Sequence, residues 1–225
     1  MSLILSIETS TAVCSVAIHQ NGVPLSVIES YETRSHSKVI LSQIQAVLKQ
    51  ASLPFSELKA IAVSKGPGSF TGLRIGTSIS KGLCYGLDLP LIGVNTLEAL
   101  AIGANNFNYK KSLLCPMVDA RRLEVYCSFF NSSLEVILPT KAVIIDQNTF
   151  NEILIEKEVL FFGDGSNKCK SILGHYDNAV FIENVVPSAK YLGGIANKLF
   201  NESKFEDVTL FEPYYLKDFM EITVK

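Results

Sequence analysis

Between Ser64 and Gly86 the chain reads SKGPGSFTGLRIGTSISKGLCYG. Glycines and hydroxyls at this density cradle phosphates, shape nucleophile turns, or let two backbones approach closely. Each of these chemistries demands its own spacing. A Walker loop started from Gly68 needs a glycine where Leu73 stands, and one started from Gly76 needs a glycine where Lys81 stands. A dinucleotide fingerprint from Gly66 fails at Thr71. A nucleophile elbow around Ser69 fails at Pro67 and Thr71. His19, His36 and His175 are scattered along the chain and read as structural. What is left is a strand, a KGPGS loop whose N–H groups could face an anion, and a glycine-rich helix. In that helix Gly72, Gly76 and Ser80 recur every fourth residue. A helical glycine costs about 0.5–1 kcal/mol relative to alanine, so this ridge implies close packing. Either it meets the protein's own sheet, or it receives another protein's helix. We take the second as the expectation.

The elements that would position this stretch occur twice. LILSIETS (3–10), CSVAIHQNG (14–22) and VPLSVIESYE (23–32) read as three strands, with Asn21-Gly22 as a hairpin signal. Residues 36–51 place Ile40, Ile44, Val47 and Leu48 on one helical face. A strand at 60–66, the glycine helix from about Phe70, a strand at 89–95 and a helix opened by Asn95 and Glu98 follow. The second half repeats the order. Strands at 112–120, 123–132 and 134–144 precede a helix at 146–158, a strand at 159–165 and a short helix at 166–173. A strand at 179–186 and a helix at 187–200 complete it. Two copies of βββαβαβα predict an α/β protein of two tandem ribonuclease-H-like lobes, the actin/sugar-kinase/Hsp70 (ASKHA) arrangement. The expected division is 1–106 and 107–225, with the last helix and the tail FEPYYLK packing back across the structure. That fold hosts kinases, ATPases and non-enzymatic binders, so it leaves function open.

Composition narrows the field. The 225 residues carry a formal charge of −2, unlike the strongly basic proteins that grip nucleic acid unaided. The Arg121-Arg122 pair reads as a solvated turn. Five cysteines, none in a C-x-x-C pair, fit buried free thiols in a reducing compartment. The start MSLILSIETS reads as a first strand and not a signal peptide, and no apolar run approaches the roughly 20 residues of a membrane span. The expected location is the cytoplasm, without a membrane.

ILSIETSTAVCSVAI, KGPGSFTGLRIGTSISKGL, PLIGVNTLEALA and VDARRLEVY resemble the bacterial TsaB (YeaZ-like) family. The likeness is close in the N-terminal half and thins after Tyr126, although PSAKYLGGIA and PYYLK also fit. The resemblance implies a partner of the TsaD catalytic subunit and a TsaE-like ATPase in making threonylcarbamoyladenosine on tRNA, which this chain would meet through the complex. It implies no peptidase chemistry. In TsaD the segment like PLIGVNTLEALA carries two metal-binding histidines; here those places are Thr96 and Leu100, which cannot replace imidazoles. No catalytic or metal-binding residue is therefore expected. The expected partner surface is Gly66, Gly68, Ser69, Phe70, Thr71, Gly72, Leu73, Arg74, Gly76 and Ser80, which could also join two copies of the chain when it is alone. Glu8, Thr9, Ser10 and Thr11 resemble a first phosphate loop, and Gly163 and Gly165 compete with a plain turn for a second. An ATP or ADP at a shared interface would lie near them. The alternative reading is an ATP-dependent small-molecule kinase or ATPase of the same superfamily; a metallopeptidase is a third, disfavoured by the lack of a ligand cluster.

Overall fold

The structure is a computed structural model that describes residues 2–32 and 36–217. Strands β1 (Leu3–Glu8), β2 (Cys14–Gln20) and β3 (Val23–Ser30) form an antiparallel meander. Asn21 and Gly22 both have positive φ (50° and 85°), as a two-residue hairpin with right-handed strand twist requires. Helix α1 (His36–Gln50) returns the chain to β4 (Ala60–Gly66), which pairs parallel with β1. Helix α2 (Phe70–Leu87) leads to β5 (Leu91–Asn95), parallel to β4, and to α3 (Thr96–Asn105). The second half repeats this. β6 (Leu113–Asp119), β7 (Glu124–Phe130) and β8 (Val136–Ile144) are antiparallel, followed by α4 (Asn151–Glu156), β9 (Val159–Phe162), α5 (Ser166–Leu173), β10 (Ala179–Phe181) and α6 (Leu192–Asn201). The sheets run β3-β2-β1-β4-β5 and β8-β7-β6-β9-β10, the same topology twice. Three consecutive antiparallel strands therefore open each lobe, as the repeat predicts.

Three elements depart from expectation. The helix expected over 146–158 shrinks to six residues. Before it, Asp146 Oδ1 accepts from Asn148 N–H (2.9 Å), and Thr149 Oγ1 accepts from Asp146 N–H (2.8 Å). Short polar side chains there capture the backbone in a turn before a helix can start. The strand expected at 179–186 ends at Phe181. The last helix starts later than Pro187, because Ser188 caps a short 3-10 turn at Ala189–Tyr191 first.

Packing ties the lobes together. On one face of the first sheet α1 and α2 cover Leu5, Ile7, Val16, Ile61 and Val63. On the other face Ile4, Ala60, Ala62, Ile92 and Val94 are covered by α3 and, from the far end of the chain, by Leu192 and Ala196 of α6. Leu97, Leu100, Ala101 and Ala104 of α3 also pack on the second sheet, against Leu114, Val118, Leu160 and Phe162. Helix α5 and α4 close its remaining face. Each fully buried leucine here contributes about 1.5–3 kcal/mol. Helix α3 thus belongs to both lobes, and α6 of the second half completes the first. No helix among the described residues is long and apolar enough to cross a membrane.

Candidate functional site

A cleft of about 730 Å³ separates the lobes. Its upper wall is the β1–β2 loop (Ser10, Thr11, Ala12), the start of α1 and the first turn of α2. Its lower wall is Val118 to Arg121, Glu124, Tyr126 and Asp164, with Lys217 of the tail at the rim.

Helix α2 begins because Ser69 caps it: its hydroxyl accepts from Gly72 N–H (3.3 Å), while its own N–H donates to Ser10 O (2.6 Å). The glycines around that cap face inward. A Cβ at Gly68 would lie 2.4 Å from Ser10 O; one at Gly72, 2.1 Å from Thr9 O; one at Gly76, 2.3 Å from Thr9 Oγ1. Thr9 Oγ1 also donates to Gly72 O (2.8 Å). Ser80 and Leu73 are buried as well, and Gly66 (φ 113°) packs against Tyr214 O of the tail. The expectation that Gly66, Gly68, Gly72, Leu73, Gly76 and Ser80 meet a partner is therefore corrected. These residues let α2 lie on the β1–β2 loop and the first sheet. Ser69, Phe70, Thr71 and Arg74 stay on the outer side. Phe70 is sandwiched there, with the Tyr215 ring 4.8 Å away and the Arg74 guanidinium 4.0 Å over its face.

A second small-residue stripe does face outward, and the sequence reading passed over it. Ser78, Gly82 and Gly86 are exposed at the same four-residue spacing, nothing lies within 4 Å of a Cβ at Gly82 or Gly86, and Tyr85 beside them is 87% exposed. The sequence carries the signal, since 72/76/80 and 78/82/86 have the same period. Only the fold separates the inward stripe from the outward one.

The residues resembling phosphate loops divide. Ser10 and Thr11 line the cleft, and their hydroxyls are buried without a hydrogen-bond partner among the described residues. Thr9 does not reach it. Glu8 is fully buried under the loop, its Oε1 accepting from Ser10 N–H (2.6 Å) and Ser64 Oγ (2.8 Å), its Oε2 without a partner among the described residues. Burial raises its pKa, which favours the neutral acid. A carboxyl enclosed under the loop, outside the cleft lining and with Oε1 already engaged by Ser10 and Ser64, does not fit the part of a metal-binding aspartate. Gly163 (φ 99°) and Gly165 fit against β6: a Cβ at the former would meet Met117 O at 2.1 Å and Leu100 Cδ2 at 2.9 Å, one at the latter Val118 C at 2.8 Å. They are corrected from a phosphate cradle to the tight strand-to-helix turn that was the competing reading.

The charges of the lower wall are largely tied to each other. Lys168 binds Asp119 and donates to Glu124 O (2.6 Å); Lys217 binds Glu124. Asp164 stands in the mouth with its Oδ1 accepting from Asp119 N–H (3.2 Å). Loss of solvation between the walls, with the Asp119 charge adding to it, pushes its pKa up to about 6. Arg121 and Arg122 form the β6–β7 turn, both at positive φ (73° and 49°), and the Arg121 side chain has no partner among the described residues. Thr96, outside the cleft lining, is fully buried with a hydroxyl that has no hydrogen-bond partner among the described residues, and Leu100 lies in the apolar core between α3 and the second sheet. Among the described residues no three histidine, cysteine or acidic side chains converge on a metal site. The residues present at this place do not fit a metal.

The family model for "TsaD: tRNA N6-adenosine threonylcarbamoyltransferase" matches residues 27–220. The TsaB protein of Escherichia coli, named for tRNA threonylcarbamoyladenosine biosynthesis, is 34% identical over 96% of this chain and 94% of its own length. The chain belongs to the TsaB family. TsaB of Bacillus subtilis is 31% identical over 86% of this chain and 80% of its own. A solved Pseudomonas aeruginosa protein described as similar to peptidase YEAZ superposes with a TM-score of 0.84 at 25% identity, covering 96% of this chain and all of its own. The ADPNP-bound activator of 2-hydroxyisocaproyl-CoA dehydratase from Clostridium difficile shares the fold alone, at a TM-score of 0.50 and 9% identity over 90% and 95% of the two chains. This member of the TsaB family is thus related in sequence to TsaD as well, and it shares its fold with the ADPNP-bound activator.

Proposed function

We propose that this TsaB-family chain is a non-catalytic subunit of the machinery that makes threonylcarbamoyladenosine on tRNA, and that it holds a TsaD-type catalytic subunit through the outer face of α2. The observation that carries the docking half is the open stripe of Ser78, Gly82 and Gly86. Each exposed helical glycine costs about 0.5–1 kcal/mol, and neither positive φ nor an internal neighbour accounts for Gly82 or Gly86. A partner helix approaching this face would account for both. Absence of catalysis is supported by Thr96 and Leu100 standing in packed surroundings, by the enclosed Glu8, and by the filled turn at Gly163. A TsaE-like ATPase and any ATP or ADP then belong to the assembly, not to this cleft alone, and a second copy of the chain takes the same face when no TsaD-type partner is present.

The test is a titration of the purified chain with the TsaD-type protein of the same organism, by calorimetry, using wild type and Gly82→Leu. Affinity at least tenfold weaker in the variant, with unchanged folding, is the expected result. Equal affinities would place the contact elsewhere. Turnover of ATP by the isolated chain with a divalent metal, above that of a buffer control, would favour the kinase or ATPase alternative instead.

A further inference from the structure

At the opposite end of the second lobe from the cleft, the connection between α3 and β6 reads NNFNYKKS (105–112). It is a built loop. Asn108 is buried and its amide grips Ser112 twice, donating to Ser112 O and accepting from Ser112 N–H, both at 2.8 Å. Lys111 N–H donates to Asn108 O (3.3 Å), and Lys111 is held at φ 58°. This clamp turns the neighbours outward. Phe107 is 56% exposed and Tyr109 88%. A hydrogen-bonded loop that leaves two aromatic rings in water forgoes the burial that usually holds them.

The same loop borders a concavity of about 380 Å³ lined by Lys110, Lys111, Ser112, Leu113, Lys157 and Glu158. Glu158 is the one acid there, and it is matched by Lys110 (2.9 Å) and the Ser112 hydroxyl. Those hydrogen bonds, Ser112 first and Lys110 second, lower its pKa, so it stays charged and stays paired. Lys111 and Lys157 make no ion pair among the described residues. Two free ammonium groups border the concavity, and the loop that supplies one of them also carries the two exposed rings; on a chain whose formal charge is −2 overall, this gathers positive charge at one place. Unpaired RNA offers the complement: bases that stack on aromatic rings and phosphates that pair with lysine.

We propose that Phe107, Tyr109, Lys111 and Lys157 form a docking surface for unpaired RNA, the rings stacking bases and the lysines holding the flanking phosphates. The surface deepens the functional reading above and rests on it only for identifying that RNA as tRNA.

The experiment uses the full chain and fluorescence anisotropy with a fluorescein-labelled 12-nucleotide single-stranded RNA and the duplex of the same sequence. Saturable binding of the single strand is expected. Tyr109→Ala should weaken it about tenfold, within what one stacked base is worth. The Lys111→Glu/Lys157→Glu double variant should weaken it at least as much, and should reduce the salt dependence by roughly 0.7 per lost phosphate contact. All three positions are on the surface, so thermal midpoints should match wild type and exclude misfolding. No saturable binding, unchanged affinity in either variant, or equal affinity for the duplex would overturn the proposal. The same variants are titrated with the TsaD-type partner. Unchanged partner affinity leaves the functional reading standing whatever the RNA result. If the variants lose only partner affinity, the loop is a protein contact and the RNA proposal fails.

Discussion

Gly72 and His19 show how tightly single residues are constrained. At Gly72, alanine should gain about 1 kcal/mol of helix propensity. Its methyl would lie 2.1 Å from Thr9 O, and a backbone oxygen cannot swing aside. Overpacking typically costs about 1–3 kcal/mol and occasionally more, so the clash should win. Gly72→Ala should therefore lower the thermal midpoint by several degrees, read by circular dichroism; a rise would mean that the contact relaxes freely. His19 is fully buried, its Nδ1 3.0 Å from Ser6 Oγ and its Nε2 3.3 Å from Lys190 O, with Gly193 packed on its ring. Burial lowers its pKa from 6.5 to about 4. The unfolded chain thus binds a proton that the folded chain refuses. Stability should be whole above pH 6.5 and fall progressively as the pH drops toward 4, by about 3 kcal/mol at 1.36 kcal/mol per pH unit. Glu8, with its raised pKa, acts in the opposite sense over an overlapping range: it weakens the fold as pH rises above the ordinary carboxylate value of 4.5. Comparing urea unfolding of wild type and His19→Gln between pH 4.5 and 7 isolates the histidine. A slope as steep in the variant as in wild type over that range would exclude it.

Helix α2 carries the same lesson at the scale of an element. Its inner stripe bears on Thr9 and Val63, and its outer stripe meets open space. Gly82→Ala should therefore raise stability, by about 0.5–1 kcal/mol, where Gly72→Ala lowers it. Parallel denaturant midpoints for the two variants check the pair, and the same sign for both would mean that the faces have been misassigned. The sequence located this helix, its start near Phe70 and its glycines, because those depend on local chain geometry. It could not orient the stripe, because which side of α2 meets the sheet is decided by the β1–β2 loop, more than sixty residues earlier. Elsewhere the legible elements were those with strong local signals. Asn21-Gly22 fixed its hairpin, and Asn95 Oδ1 caps α3 by accepting from Leu97 and Glu98 N–H. The illegible ones were settled by side chains that outbid a weak helix signal, as Asp146 and Thr149 do before α4. The Lys110-Lys111 pair carries no signal of its own in the sequence, and it gains meaning only when the fold brings Lys157 to the same concavity.

Across the whole molecule the repeat in the sequence suggests two bodies, but the packing makes them interdependent. Helix α6, from the end of the second half, covers Ile4, Ala60, Ala62, Ile92 and Val94 of the first sheet. Helix α3, from the first half, covers Leu114, Val118, Leu160 and Phe162 of the second. The tail adds further ties: Tyr214 N–H donates to Lys65 O (2.6 Å), Lys81 Nζ donates to Thr209 O and Phe211 O, and Lys217 reaches Glu124. Neither sheet is closed without a helix from the other half, so unfolding should be one cooperative event. Leu192→Ala tests this. Leu192 is fully buried in α6 against the first sheet, and truncating such a leucine typically costs about 2–5 kcal/mol. If the halves are coupled, that loss should lower hydrogen-exchange protection in β1 and β6 by the same free energy, although β6 lies in the other sheet. If the lobes are independent, β1 should lose protection while β6 keeps it. Measuring amide exchange by mass spectrometry on the intact variant separates these outcomes strand by strand. Equal loss in both sheets is the expected result, because α3 cannot keep its place on the second sheet once the first sheet it also covers has opened.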